Sequence, residues 1–366
     1  MELTGKEMDF CTDTARKITD NVARAVVGKK ECTRLLLCCL LCGGHALLQD
    51  VPGVGKTAAV NAFAASLDMD FRRIQCTPDM LPADILGFTV YDANTGKGSF
   101  CPGPIMSQLF LADEINRSSP KTQAALLEAM EEGRITVDGQ DHILPQPFMV
   151  LATQNPIESV GTYPLPEAQM DRFMMRISFG YPNKEEEKDI MRRYGQGDPL
   201  GSLRPVAKTK DIIDMRNAVE RVYVSQAAAD YIVDITRATR INSLVRLGAS
   251  PRASLALMKC ARAYALINGR DYIIPDDVRL LAPAVLAHRL ILSREAAAKG
   301  MSKEDALMEI VSAIPVPVGK KTALRGKALY PAHCAVPDIY CFAACLRCCL
   351  FLHGTASAPF CARLHG

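Results

Sequence analysis

The sequence has little of what would tie it to a membrane, to nucleic acid or to an oxidising compartment. Its formal net charge is only +3 over 366 residues, which sets up no global field for a polyanion or an anionic lipid surface. The most apolar early run, residues 35–41, is far too short to span a bilayer. The opening stretch, Met1 to Glu7, lacks the shape of a signal peptide, and no repeat of solenoid length is evident. Of 14 cysteines, six fall between Cys334 and Cys361 and the rest are scattered. That distribution favours reduced thiols in a cytoplasmic protein over a disulfide framework. A hydrophobic content of 49% is ample for a sizeable core, and the length suits about two or three domains.

What is present is chemistry for phosphate. Asp50-Val51-Pro52-Gly53-Val54-Gly55-Lys56-Thr57 nearly matches G-x-x-x-x-G-K-[ST], with Asp50 at the first glycine position. Gly53 and Gly55 let backbone N–H groups turn inward to cradle a β-phosphate. Lys56 can reach the β/γ-phosphates, and the Thr57 hydroxyl can ligate Mg²⁺. Residues 45–49 read as a short buried strand and 57–67 as a helix, whose N-terminal dipole adds to the site. The candidate cofactor-binding set is therefore Pro52 to Ala58. Farther on, the apolar run 108–112 ends in Asp113 and Glu114. Asp113 can hold Mg²⁺ through its water shell, and Glu114 can polarise an attacking water.

Around these motifs the chain reads in order. Helices are expected over 12–25 and 31–42, with Cys38, Cys39 and Cys42 as core thiols. A strand follows at 71–75. A hairpin is expected around the glycine-bearing turn 92–98, and a second over 134–143 with Asp138-Gly139 as its type I′ turn. His142 is expected as an exposed strand residue. A strong helix covers 121–131, begun by Pro120. Residues 148–153 read as a strand with Asn155 just past its end. Two readings of Asn155 stand level: an amide beside a γ-phosphate, or the start of an Asn-Pro turn. A helix is expected over 166–176, carrying Arg172, and 177–179 closes the sheet. The composition of 195–202 marks a linker. Beyond it the pattern reads as helices only, over 212–222, 227–240, 252–267, 276–288 and 303–312. From Gly319 the character changes: Asp338 is the only acid, and Cys341, Cys345, Cys348 and Cys349 cluster. Cys345 and Cys348 with His353 lack the second pair that a zinc site needs.

Together these phrases resemble the MoxR family of AAA+ ATPases over roughly residues 15–315. Asp113-Glu114-Ile115-Asn116-Arg117, Ala152-Thr153-Gln154-Asn155-Pro156, the stretch from Tyr163 to Phe173, and Gly248 to Ala253 carry the likeness beside the phosphate loop. Asp50 is a familiar variant in that family; the tail from Gly319 departs from it. The resemblance implies an α/β fold: a P-loop AAA+ core with a parallel sheet and two β-hairpin inserts, then an all-helical lid. The division expected is 1–194 for the core with its N-terminal helices, 195–210 for a linker, 211–318 for the lid and 319–366 for a divergent tail. It further implies that Asn155 is sensor 1, Arg172 an arginine finger reaching a neighbouring subunit, and Arg252 sensor 2. Val26, Val27 and Gly28 match the segment near adenine. The activity implied is Mg²⁺-dependent hydrolysis of ATP in a ring, usually a hexamer, that remodels client proteins or metalloenzyme complexes, often with a von Willebrand A-domain partner. Rival readings are a nucleic-acid motor and the ATPase subunit of a metal chelatase. The acidic second hairpin tip, Asp138 to Asp141, argues against phosphate contacts.

Overall fold

The computed structural model describes residues 3–155, 162–195 and 197–317. Pro156, at the end of one motif, and the tail with its cysteine cluster lie outside the described residues. The first helix, α1 (Gly5–Ala25), begins earlier than its apolar stripe suggests. Thr4 and Glu7 form a capping box, the Thr4 hydroxyl accepting the Glu7 N–H and the Glu7 carboxylate accepting the Thr4 N–H. Helix α2 (Lys30–Leu41) follows, with Cys38 and Cys39 buried among its leucines.

Five strands form one parallel sheet: β1 (Ala46–Gln49), β2 (Phe71–Gln75), β3 (Leu109–Asp113), β4 (Met149–Gln154) and β5 (Met175–Ile177). Their spatial order is β5-β1-β4-β3-β2. Ala46 pairs with Leu151 and Met175, Leu109 with Met149, and Gln75 with Asp113. The registers align all the strand exits, so the loops after β1, β3 and β4 meet at one carboxyl edge. Both faces of the sheet are covered, as parallel pairing requires. Leu48, Leu111 and Leu151 face a core shared with α1, α2, α3 (Lys56–Ala65) and the C-terminal helices. Leu47, Phe110 and Val150 face the other way, against α4 (Pro120–Glu132) and Phe173.

The two hairpins are present, Gly87–Tyr91 with Gly98–Pro102 and Arg134–Val137 with Gln140–Ile143. Asp138 and Gly139 both have positive φ, 49° and 77°, as a type I′ turn demands. His142 is half-buried rather than exposed. Its ring stacks on Phe100 at 3.8 Å between centroids, which joins one hairpin to the other.

Three expectations need correction. The helix expected over 166–176 is confined to Glu167–Met170, and Met175–Ile177 is strand β5. Met175 and Ile177 are buried beside β1 while Arg176 is not, so sheet pairing overrides the helical propensity of the segment. Helix α5 (Lys184–Tyr194) was not anticipated. It buries no residue, so it offers no apolar stripe, and it is held by an Asn183–Glu186 capping box. The C-terminal part is not helices only. Ala207–Lys208 pairs with Leu67–Asp68, and Val245–Leu247 with Ile291–Leu292. Its main helices are α6 (Thr209–Glu220), α7 (Gln226–Ile241), α8 (Pro251–Ile267), α9 (Pro275–Leu286) and α10 (Lys303–Ala313). Helix α8 packs on α1 and α2, and α9 on β5. Among the described residues no helix is long and apolar enough to cross a membrane.

Candidate functional site

The loop between β1 and α3 is built for an anion. Gly53 and Gly55 adopt φ of 82° and 85°, a region that L side chains rarely enter, and open space stands where a Cβ would be. Gly55 opens α3, so the N–H groups of the first turn face the cradle. Val54 is buried and anchors the loop, whereas Pro52 is exposed. The Lys56 ammonium donates to the carbonyls of Asp50 at 2.5 Å and Gln154 at 3.3 Å, which holds it across the mouth of the loop.

Asp50 does what a glycine there could not. One carboxylate oxygen accepts the Val51 N–H at 2.8 Å. The other accepts the Ser178 hydroxyl and the N–H groups of Phe179 and Gly180 at 2.6–2.8 Å. Partial burial works to raise its pKa, but these donors outweigh burial and hold it below the ordinary carboxylate value. The same segment is gripped by the buried Lys29, whose ammonium donates to the carbonyls of Phe179 and Gly180. Val27 and Gly28 directly precede Lys29 in the chain. Gly28 has φ of 72°, and a Cβ on it would collide with the Glu186 carboxylate.

Asp113 is buried at the exit of β3. Its Oδ2 accepts the Thr57 hydroxyl at 3.3 Å and the Arg73 guanidinium at 2.8 and 3.2 Å. Its Oδ1 accepts the Thr153 hydroxyl at 2.5 Å, and Thr153 in turn accepts the N–H of Glu114 at 2.7 Å. Glu114 sits in the left-handed region, φ 56°, so its side chain leaves the line of the strand. There its carboxylate accepts from Gln75 at 2.9 Å and Arg117 at 3.1 Å. Asn155 is buried just past the end of β4, the strand adjacent to β1, with its carbonyl accepting from Asn116 at 3.3 Å. The strand that Asn155 follows thus pairs with the phosphate-loop strand. Hard oxygen ligands, Thr57 and Asp113, thus stand together beside a phosphate cradle, a donor set that fits Mg²⁺ with a nucleotide.

Arg172 and Arg252 lie elsewhere. The chain two residues after Arg172 pairs with the start of β1, where Met174 donates to the His45 carbonyl at 2.8 Å. From His45 to Asp50 is five residues of extended chain, about 16 Å at ~3.3 Å each. Neither arginine reaches its own chain's phosphate loop, because both bind Glu131 at this amino edge, Arg172 at 3.2 Å and Arg252 at 3.3 Å. Arg176 is on β5, not on a helix with Arg172, and it is taken up by Gln49 and Glu304. The loop bearing Arg172 is held from the C-terminal part. The nearly buried Arg289 stands 2.6 Å from the Asp171 carboxylate, and both His288 and Arg289 contact the Phe173 carbonyl.

Thr153, Arg73, Gln75, Lys29 and Glu131 are the residues that sequence reasoning missed. Arg72-Arg73 on an otherwise ordinary strand was the one available signal, because two cations in a row there need acidic partners.

Comparison with known proteins agrees with this geometry. Residues 45–175 match the ATPase family associated with various cellular activities (AAA), and residues 237–310 match the AAA lid domain. The chain is 50% identical to an uncharacterised protein, YeaC, of Bacillus subtilis (strain 168), covering 84% of this chain and 96% of that one. It is 40% identical to chaperone MoxR1 of Mycobacterium tuberculosis, over 87% and 86% of the two chains. It is 31% identical to protein MoxR of Methylorubrum extorquens, over 76% and 88%. A crystal structure from Cytophaga hutchinsonii, provisionally described as an ATPase, superposes with a TM-score of 0.79 at 39% identity, covering 86% of this chain and 98% of that one.

Proposed function

Because the chain belongs to the MoxR family of AAA+ ATPases, we propose that it hydrolyses ATP with Mg²⁺ in a cytoplasmic ring, a hexamer, and uses the motion to remodel client proteins or metalloenzyme complexes. A von Willebrand A-domain protein is the partner class this reading favours. The single observation that carries the chemistry is the meeting of Thr57 with Asp113, 3.3 Å apart, beside the glycine cradle. The backbone N–H groups from Gly53 to Ala58 receive the phosphates, and Lys56 turns from its two carbonyls to the β/γ oxygens. Val27 and Gly28 close the adenine end. Thr57 and Asp113 would hold Mg²⁺, which when bound neutralises charge on the phosphates. Glu114 leaves Gln75 and Arg117 to orient the attacking water and take its proton. Asn155 contacts the γ-phosphate. Arg172 and Arg252 serve the neighbouring subunit's site, a reading supported by their place at the amino edge.

Remodelling of proteins is favoured over movement of nucleic acid by the second hairpin. Asp138 stands at its turn, and Asp141 is engaged by Arg134 at 2.8 Å, so the tip offers no cation to a phosphate backbone. The name of the Mycobacterium tuberculosis relative supports the chaperone reading over the chelatase one. The test is a pair of variants. Lys56→Ala should lose nucleotide binding, measured with a fluorescent ATP analogue, whereas Glu114→Gln should bind normally and hydrolyse very slowly. Equal loss of binding in both would contradict the separate roles assigned to them.

A further inference from the structure

Glu131, at the end of α4, is the meeting point of two distant parts of the chain. One carboxylate oxygen lies 3.2 Å from an Arg172 terminal nitrogen, and the other lies 3.3 Å from an Arg252 terminal nitrogen. We propose that Glu131 is a positioning residue that holds Arg172 of the core and Arg252 of the lid as a pair, so that both guanidiniums meet the neighbouring subunit's nucleotide together. This rests on the reading of both arginines as acting in trans.

Four observations support it. First, Arg252 spends one of its five N–H donors on Glu131 and Arg172 meets it as an ion pair at 3.2 Å, which leaves most of each fork for phosphate oxygens. Second, two like charges gathered at one spot repel unless an anion lies between them, and Glu131 is that anion. Third, the carboxylate is fixed from behind. Val150 donates its N–H to His45 Nδ1 at 2.9 Å, so the neutral ring carries its proton on Nε2 and donates to the Met130 carbonyl at 3.0 Å. That pins the helix end beside Glu131 to the start of β1. Fourth, the Arg172 loop is clasped on its other flank by Arg289 and His288 of the lid. The Arg172 loop is thus held between β1 and the lid, and Glu131 sets the spacing between its arginine and the lid's own. Glu131 is 40% exposed and Arg252 55% exposed, as groups that must face another subunit need to be.

The experiment uses the full chain with Glu131→Ala, Glu131→Gln and Glu131→Asp. Glu131→Ala and Glu131→Gln should each lower kcat about tenfold or more, because misplacing a reacting group by about 1 Å can cost on the order of 100-fold. Affinity for an ATP analogue and the melting temperature should not change, and Glu131→Asp should recover part of the rate. Mixed rings supply a readout that a merely structural role would not move. Glu131→Ala subunits mixed with Lys56→Ala subunits should regain hydrolysis, because the latter bring an intact arginine pair to an intact loop. Mixed with Arg172→Ala subunits they should not, since both faults lie on the same face. An unchanged or raised kcat in Glu131→Gln, with Arg172→Ala inactive and rescued by Lys56→Ala, would overturn the inference and leave the trans reading standing. If Arg172→Ala is itself not rescued despite proven subunit exchange, the trans reading falls and the inference with it. Loss in Glu131→Ala but not in Glu131→Gln would also overturn it, because the charge would then be irrelevant.

Discussion

Replacing Thr153 by valine should cost both stability and hydrolysis, although no contact with nucleotide is assigned to it. The side chain is buried, and one hydroxyl does two jobs. It donates to Asp113 Oδ1 at 2.5 Å and accepts the Glu114 N–H at 2.7 Å. Valine keeps the shape and removes both. Loss of a hydrogen bond to a charged group costs about 1.5–3 kcal/mol, and a buried N–H left without a partner costs about 1–3 kcal/mol more. The two losses share one atom, so a total of roughly 3 kcal/mol is expected rather than the full sum. Asp113 would then lean wholly on Arg73 and Thr57, and Glu114 would lose the backbone anchor that sets its left-handed bend. Hydrolysis should fall about 10–100-fold, the usual range when a partner of a metal ligand is removed. Urea denaturation gives the first quantity, and a phosphate-release assay on folded protein gives the second. Thr153→Ser should stay near the parent in both. A Thr153→Val protein with unchanged unfolding midpoint and rate would refute the role of the hydroxyl in joining the two acids.

Arg172→Ala should bind ATP yet hydrolyse it ~10³-fold or more slowly, the scale of an arginine finger; single-turnover kinetics beside binding titration will separate the two. Stability should also depend on pH through His45. Burial pulls its pKa from 6.5 down to about 4, so the unfolded chain takes up a proton that the folded one refuses. The stability is fully present above the unfolded value and is lost as pH falls from about 6.5 towards 4, by up to about 3 kcal/mol. His288, also held neutral by burial, adds in the same direction. Unfolding midpoints from pH 7.5 to 5 should decline in the parent, and the decline should be shallower in His45→Gln; parallel slopes would refute the assignment.

What could be read from the sequence is what recurs at short spacing. The phosphate loop announces itself because two glycines, a lysine and a threonine must be adjacent for their backbone and side chains to converge. Strands β3 and β4 are apolar runs ended by acids or amides, and Asp138-Gly139 dictates its own turn. Strand β5 was legible only in part: a strand closing the sheet was expected over 177–179, and it lies two residues earlier, at Met175–Ile177, because Glu167 to Met174 has the composition of a helix. Helix α5 was illegible for the opposite reason, since it buries no face. The candidate site itself divides along this line. At the carboxyl edge the residues come from three motifs, each with its own local pattern. At the amino edge Glu131, Arg172 and Arg252 come from three helices or turns far apart in the chain. By spacing alone each is an ordinary surface charge, Arg172 and Arg252 being named only by the family resemblance and Glu131 being one of several acids on α4. Only sheet order and lid packing bring them within 3.3 Å of a shared carboxylate. A group that serves a neighbour's site has no reason to sit near its own chain's phosphate loop, in space or in sequence. The half of the machinery that we assign to a neighbour's site is therefore the half that spacing within one sequence does not display.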